Sequence, residues 1–207
     1  EQAYANPGYR LIVTGHSLGA GTAGMLALLW YSDPEISALN YQVYPLAPPL
    51  IFSEDFNVYL NPIVTSVVLG SDVVSRLSFG TVKDMVHLVR YFRRLEAKKD
   101  VHSAGNIIQT EMGLGGRRDT QRWLDLYRDI KATCMISEYC GVPGQAFQIY
   151  EQKRNVEFEA FPARLETGKY KGSFMQSRYY HVIVFSRKLI SDHMPNLYEK
   201  AINEFGS

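Results

Sequence analysis

The sequence lacks most of the features that mark a specialised class of protein. Only two cysteines, Cys134 and Cys140, occur among 207 residues. Two are too few for a disulfide framework, and their spacing fits no zinc-binding pattern, which favours a reduced, intracellular setting. The formal net charge is only +1, so the chain carries no strong field that would attract nucleic acid.

Targeting and membrane-spanning segments are also absent from the sequence. No run of about 18 apolar residues occurs, so no stretch is predicted to span a bilayer. The opening residues EQAYANPGYR lack the basic start and apolar core of a signal peptide, and the chain does not begin with Met. We therefore expect a piece of a longer protein, with residues 1–207 forming a single, partial domain.

What is present is an alternation of strand-like and helix-like segments. The apolar and β-branched pattern predicts strands at residues 9–15, 41–49, 63–69 and 179–186. Helical periodicity or composition predicts helices at residues 18–31, 81–99, 119–134 and 194–205. The near-continuous apolar character of the strands is typical of a sheet covered on both faces. This order indicates the α/β class with a mostly parallel sheet.

Residues 100–172 have a different character, because glycine clusters interrupt them and long apolar runs are few. We interpret this stretch as an insertion or flap within the domain. Its one amphipathic helix carries Trp123 and Tyr127 on one side. Two interpretations stay open: a mobile cover beside the active site, or a satellite helix packed on the domain.

The main chemical signal is Gly15-His16-Ser17-Leu18-Gly19, which matches G-x-S-x-G. The motif follows a predicted strand and opens a predicted helix, as a nucleophile elbow requires. We expect that a side chain at either glycine would crowd this sharp turn. The Leu18 amide is then expected to stabilise an oxyanion at the helix start. The alternative is a glycine-rich phosphate-type loop or a plain tight turn.

A serine nucleophile needs a base, and the base needs an acid that orients it. In this fold the order along the chain is serine, acid, histidine. Asp72 follows a predicted strand and is the favoured acid over Asp55, although an aspartate there can also cap a turn. His193, in the turn before the last helix, is the favoured base over His181, which lies inside the predicted strand at residues 179–186. Two other histidines are weaker candidates, because His87 lies inside a predicted helix and His102 lies beside no predicted strand.

Four blocks of the sequence together resemble the class 3 lipases, and most closely the sn-1-specific diacylglycerol lipases. They are VTGHSLGAGTAGMLALL, APPLIFSED, VTSVVLGSDVVSRLS and LISDHMPNLY. The resemblance implies an α/β-hydrolase fold whose triad falls on Ser17, Asp72 and His193. It also implies hydrolysis of the sn-1 ester of diacylglycerol through an acyl-enzyme. The alternatives are another acyl-ester hydrolase (a triacylglycerol lipase, a phospholipase of the A1 type or a carboxylesterase) or a non-catalytic binding scaffold.

The same resemblance carries expectations about the rest of the protein. It implies a glycerolipid substrate at a membrane surface and an upstream membrane anchor, with the catalytic domain on the cytoplasmic side. Strands and a second oxyanion donor are expected upstream of the sequence, so this segment alone is expected to have little activity. The chemistry requires no cofactor. The resemblance suggests calcium sensitivity, yet the sequence contains no EF-hand-like acidic loop.

Overall fold

The structure is a computed structural model that describes residues 5–97, 120–151, 164–167, 169–184 and 186–206. It divides into two compact units. One unit comprises residues 1–78 and 139–207, and the other comprises residues 79–138. Within the described residues, no helix is both long enough and apolar enough to cross a membrane.

A six-stranded sheet forms the first unit, with the strand order β1-β2-β3-β4-β6-β5. The strands are β1 (Leu11–His16), β2 (Tyr41–Leu46), β3 (Thr65–Leu69), β4 (Gln145–Glu151), β5 (Arg164–Thr167) and β6 (Tyr170–Met175). The first four pair in parallel, whereas β6 pairs antiparallel with β4 and β5. The predicted α/β class with a mostly parallel sheet is confirmed.

Six α-helices accompany these strands within the described residues. In the first unit they are α1 (Leu18–Tyr31), α2 (Pro34–Ser37), α3 (Glu54–Leu60) and α6 (Pro195–Gly206). The second unit contains α4 (Phe79–Ala97) and α5 (Thr120–Cys134), which pack against each other. In that unit Ser137 donates a backbone hydrogen bond of 3.2 Å to the buried Asp84 carboxylate.

The sheet is covered on both faces at β3, which explains the continuous apolar character of that strand. Successive residues of a strand point to opposite faces, so neighbouring side chains of β3 join different apolar clusters. Val68 packs in a cluster with Leu50 and Tyr180, whereas Leu69 packs in one with Ile149 and Tyr198. The parallel pairing also brings the carboxyl ends of β1, β2 and β3 to one edge of the sheet.

Helix α1 lies close to the rest of the first unit because its inner face is built from small residues. Ala20, Ala23 and Ala27 are all buried. A Cβ atom at Gly24 would lie 2.7 Å from the Pro143 ring, so a larger residue there would push the helix outward. The helix predicted at residues 18–31 is thus confirmed, with the same bounds.

Two expectations about the second half of the chain are wrong. No strand was predicted between residues 69 and 179, yet β4, β5 and β6 all lie there. Gly172 weakens the strand pattern of β6, because glycine is uncommon inside strands. In the structure, a Cβ atom at this position would lie 2.3 Å from the Phe147 ring of β4, so glycine is required there. The interpretation of residues 100–172 as an insertion or flap, and the regulatory role that the resemblance to class 3 lipases implies for it, stay predictions. Residues 98–119 and 152–163 lie outside the described residues, as do the side chains of Trp123 and Tyr127.

The strand predicted at residues 179–186 is also absent from the described part of that segment. Residues Ser177–Tyr180 form a 3-10 helix instead. The position beside β4 that a last parallel strand would take is occupied by β6. Tyr180 is fully buried, but Val182 and Val184 are 44% and 39% exposed, so this apolar run is only partly used for the core.

Candidate active site

Ser17 occupies the sharp turn between β1 and α1. Its backbone has φ 58° and ψ −120°, a left-handed conformation that costs a non-glycine residue about 1–3 kcal/mol. The backbone is held there on both sides: the Ser17 amide donates to the Leu46 carbonyl at 2.9 Å, and the Ser17 carbonyl accepts from the Ala20 amide at 3.0 Å. The turn thus places the Ser17 hydroxyl at the carboxyl edge of the sheet.

The two glycines that flank Ser17 have unequal roles. A Cβ at Gly15 would lie 2.3 Å from the Gly19 carbonyl oxygen, a backbone atom that has no freedom to move aside. A Cβ at Gly19 would meet nothing within 4 Å. The expectation that either side chain would crowd the turn is therefore right for Gly15 and wrong for Gly19.

His193 faces Ser17 across the site. It ends the 3-10 turn Ser191–His193, directly before α6. Its Nε2 lies 3.0 Å from the Ser17 Oγ, although the two residues are 176 positions apart in sequence. The His193 side chain is 16% exposed, so the ring is largely shielded while its reactive edge faces the serine.

Asp72 lies behind the histidine and is completely buried. The His193 Nδ1 lies 3.1 Å from each carboxylate oxygen. The Val74 amide donates to Oδ1 at 2.8 Å, and the Tyr198 hydroxyl donates to Oδ2 at 2.7 Å. A carboxylate only accepts hydrogen bonds, so the Nδ1 of neutral His193 carries the proton and donates it to Asp72. The Nε2 atom then has no proton and can accept a hydrogen bond from the Ser17 hydroxyl.

Leu18 is the first residue of α1, where a backbone N–H has no intrahelical acceptor. The positive end of the helix dipole lies at the same point. An amide there can donate to negative charge that develops beside Ser17. The Leu18 side chain is 80% exposed, which leaves an apolar surface immediately beside the serine.

His16 was not expected from the sequence as a site residue. It is the last residue of β1, and its Nε2 lies 2.9 Å from the backbone carbonyl oxygen of His193. Its ring also lies over the His193 ring, with a centroid separation of 4.8 Å. Its place inside the G-x-S-x-G motif was the only available signal, and that motif leaves the residue type at this position open.

Asp192 was also missed, and it anchors the turn that carries His193. Its Oδ2 accepts a hydrogen bond of 2.8 Å from the Ser71 amide, in the loop that leads to Asp72. The carboxyl is only 7% exposed, and this burial raises its pKa above the ordinary value of 3.8. The hydrogen bond from Ser71 and the charge of Lys188 both lower the pKa of Asp192, but the effect of burial is larger.

The remaining candidates from the sequence lie elsewhere. Asp55 is exposed in the first turn of α3, and His87 lies in α4 of the second unit. His181 stacks on the Tyr139 ring at a centroid separation of 4.6 Å, and burial lowers its pKa. His102 lies outside the described residues. Within the described part of the chain, no group of three or more His, Cys, Asp or Glu side chains could hold a metal ion.

A serine at a strand-to-helix elbow, an acid after a later strand and a histidine after both define the site plan of the α/β hydrolases. Residues 1–82 match the family model described as Lipase (class 3). The resemblance to class 3 lipases is thus confirmed for this segment, which contains Ser17, Leu18 and Asp72 but not His193.

Individual proteins also match parts of the chain. The chain is 37% identical to diacylglycerol lipase-beta of Mus musculus over 81 residues, which is 38% of this chain and 11% of that protein. It is 43% identical to diacylglycerol lipase-alpha of Homo sapiens over 75 residues, which is 36% of this chain and 7% of that protein. Lipase II from Rhizopus niveus is a solved structure with 30% identity and a TM-score of 0.32, over 35% of this chain and 29% of that one. The chain therefore spans about a tenth of the length of the diacylglycerol lipases that it matches.

The unequal surroundings of the two motif glycines predict unequal costs of substitution. Gly15→Ala should lower the free energy of unfolding by about 1–3 kcal/mol, because the new Cβ overlaps a fixed carbonyl. Gly19→Ala, the matched control, should be neutral or stabilising by up to about 1 kcal/mol, because alanine favours the helix. Urea unfolding of both variants measures the difference. Equal destabilisation of the two would contradict this account of the elbow.

The buried Asp192 carboxyl predicts a stability difference that depends on pH. Since its pKa is raised in the folded state, ionisation of Asp192 costs stability as the pH rises through that folded value. Asp192→Asn keeps an acceptor for the Ser71 amide and carries no charge. The variant should therefore gain in Tm relative to the wild type at neutral pH, and the gain should disappear at pH values below 3.8.

Thermal unfolding across this pH range tests the prediction, with Asp55→Asn as a control at an exposed carboxylate. A variant that is destabilised by the same amount at every pH would show that Asp192 contributes only its hydrogen bond.

Proposed function

We propose that the protein is a serine hydrolase that cleaves the carboxylic ester bonds of acylglycerols. The observation that carries the proposal is the continuous chain of contacts from Ser17 Oγ to His193 Nε2, at 3.0 Å, and from His193 Nδ1 to Asp72, at 3.1 Å. The class 3 lipase match over residues 1–82 supports it, because that segment contains the elbow and the acid.

In the first step, the Ser17 oxygen attacks the ester carbonyl carbon while His193 Nε2 takes the serine proton. The carbonyl π electrons move onto oxygen, and the Leu18 amide donates to the resulting oxyanion. Asp72 accepts a hydrogen bond from the Nδ1–H of His193 and stabilises the imidazolium, while the proton stays on Nδ1. When the oxyanion collapses, the bond to the alcohol oxygen breaks, and His193 gives its proton to the departing glycerol hydroxyl. An acyl-enzyme on Ser17 remains.

In the second step, water takes the place of the alcohol. His193 Nε2 removes a proton from the water as its oxygen attacks the acyl carbon, and a second oxyanion forms beside the Leu18 amide. Collapse breaks the bond to Ser17 Oγ, which regains a proton from His193. The fatty acid leaves and the enzyme returns to its starting state, so the cycle consumes one water and needs no cofactor.

For the substrate, the proposal is the sn-1 ester of diacylglycerol, which gives a monoacylglycerol and a fatty acid. The names of the diacylglycerol lipase relatives support diacylglycerol. Exposed apolar side chains beside the site support a lipid substrate: Leu18 follows the serine and Met194, 40% exposed, follows the histidine. Other acyl-ester hydrolases share this chemistry, so the choice of ester is the part that the experiment must decide.

The proposal includes a location at a membrane surface, with the catalytic domain on the cytoplasmic side. Its support is the resemblance to the diacylglycerol lipases and the apolar surface beside Ser17. Protease digestion of the full-length protein in sealed, right-side-out cell vesicles tests the orientation. Protection of this domain until the vesicles are opened agrees with the proposal, and cleavage in intact vesicles would overturn it.

Ser17→Ala should abolish turnover of diacylglycerol by the full-length protein, with a loss on the order of 10⁴-fold or more. The matched control is Ser75→Ala, at a buried serine whose hydroxyl has no hydrogen-bond partner within the described structure. Its activity should equal that of the wild type. Substrates with distinct acyl chains at the two positions identify the ester that is cleaved.

Release of the sn-1 chain by the wild type supports the full proposal. Faster turnover of a phospholipid, a triacylglycerol or a short-chain ester would keep the hydrolase but replace its substrate. Activity that survives Ser17→Ala would overturn the mechanism, and a wild-type protein without hydrolysis of any of these esters would favour a binding scaffold.

A further inference from the structure

The Tyr198 hydroxyl connects Asp72 to the backbone of the sheet. It accepts a hydrogen bond of 2.9 Å from the Leu69 amide at the end of β3, and it lies 2.7 Å from Asp72 Oδ2. The residue is only 1% exposed, so water has no access to compete for either contact. Tyr198 is separated from Asp72 by 126 positions, and the contact depends entirely on the packing of α6.

The direction of the Tyr198 proton is fixed by its two neighbours. An amide N–H only donates, so the phenol oxygen accepts from Leu69 and its own proton points to Asp72. Burial and then the nearby Asp72 charge raise the pKa of Tyr198 well above its ordinary value of 10.0. The phenol therefore stays protonated and remains a donor to the carboxylate at every pH at which an esterase of this kind works.

This hydrogen bond bears on how the carboxylate is oriented. The Val74 amide fixes Oδ1 and Tyr198 fixes Oδ2, so each oxygen has one donor besides His193. Two fixed points prevent rotation of the carboxylate about its Cβ–Cγ bond. With Tyr198 removed, one oxygen loses its donor and the plane that faces Nδ1 is free to turn. A buried carboxylate that lacks a donor is also costly.

Tyr198 is also linked to His193 through the chain. Helix α6 begins at Pro195, and the Tyr198 amide donates to the Met194 carbonyl at 3.4 Å in its first turn. One short segment therefore carries both the base and a donor to its acid. The edge of the His16 ring meets the Tyr198 ring at a centroid distance of 5.7 Å, which closes the same cluster around His193.

From this arrangement we infer that Tyr198 is a positioning residue of the reaction, which acts by orienting Asp72 toward His193. The inference rests on the proposed function of Ser17, Asp72 and His193. The Tyr198 hydroxyl bonds to the Leu69 amide and to Asp72, and we expect its effect on turnover to pass through that carboxylate.

Tyr198→Phe in the full-length protein should lower kcat about tenfold or more and leave KM nearly unchanged, because only the orientation of the base is affected. The matched control is Tyr180→Phe. Tyr180 is equally buried, but its hydroxyl has no hydrogen-bond partner among the described residues. That variant should keep the wild-type kcat.

A double-mutant cycle with Asp72→Ala separates positioning from a general loss of packing. If Tyr198 acts through Asp72, then Tyr198→Phe should have no further effect on the residual rate of Asp72→Ala. Equal fold losses in both backgrounds would overturn the inference. In the proton spectrum, the downfield Nδ1–H resonance of His193 should shift in Tyr198→Phe and stay in place in Tyr180→Phe.

Replacement of Tyr198 by 4-aminophenylalanine supplies a second variant with a restored donor. Its aniline N–H can donate to Asp72, so this variant should recover most of the kcat that Tyr198→Phe loses. This comparison tests the inference also if the Tyr198→Phe variant folds poorly. A wild type that is active, with inactive Ser17→Ala and fully active Tyr198→Phe, would overturn this inference alone. A wild type without esterase activity and an Nδ1–H resonance unchanged by Tyr198→Phe would overturn the proposed function and the inference together.

Discussion

The buried charge of Asp72 is the constraint on which the rest of the site depends. A carboxylate that is completely removed from water is stable only if donors replace its hydration. Here three donors come from two separate stretches of chain: the Val74 backbone from one, and the His193 ring and the Tyr198 hydroxyl from the other. The fold therefore has to bring the end of β3 and the start of α6 together before the charge can be buried, and that meeting places His193 beside Ser17.

The segment before His193 is anchored at several further points, which limits how far the base can move. The Asp192 carboxyl accepts from the Ser71 amide, and His16 contacts the His193 carbonyl. Farther back, Glu151 at the end of β4 forms ion pairs with Lys188 and Lys169. These hydrogen bonds, first that of Lys169 and then that of Lys188, lower the pKa of Glu151 to about 2. The base is thus fixed to the same strand ends that carry the nucleophile and the acid.

Local sequence was sufficient for the parts of the protein that local rules determine. The elbow at Ser17 is predictable because the G-x-S-x-G pattern lies between a strand-like run and a helix-like run. Asp72 was expected at the site because parallel strands end at a common edge, and His193 because the chain order demands a late histidine. The α/β class follows from the same alternation of patterns.

The strands and site residues that were not predicted correctly depend on contacts between residues far apart in sequence. Gly172 weakens the strand pattern of β6, and only the position of the Phe147 ring in the neighbouring strand explains why glycine is required there. The apolar run at 179–186 has the composition of a strand, but β6 already pairs with the available edge of β4. His16 and Tyr198 contact the site across 177 and 126 positions, and no pattern within either segment indicates a partner that far away.

The most direct test of the central claim is the site of covalent labelling by a fluorophosphonate. Such a reagent reacts with a serine hydroxyl only when a base activates it, so it reports on the assembled group rather than on exposure. Digestion of the labelled full-length protein and mass spectrometry of its peptides should find the adduct on Ser17, and His193→Ala should remove it. An adduct on a different serine, or labelling of Ser17 that is unchanged in His193→Ala, would contradict the account.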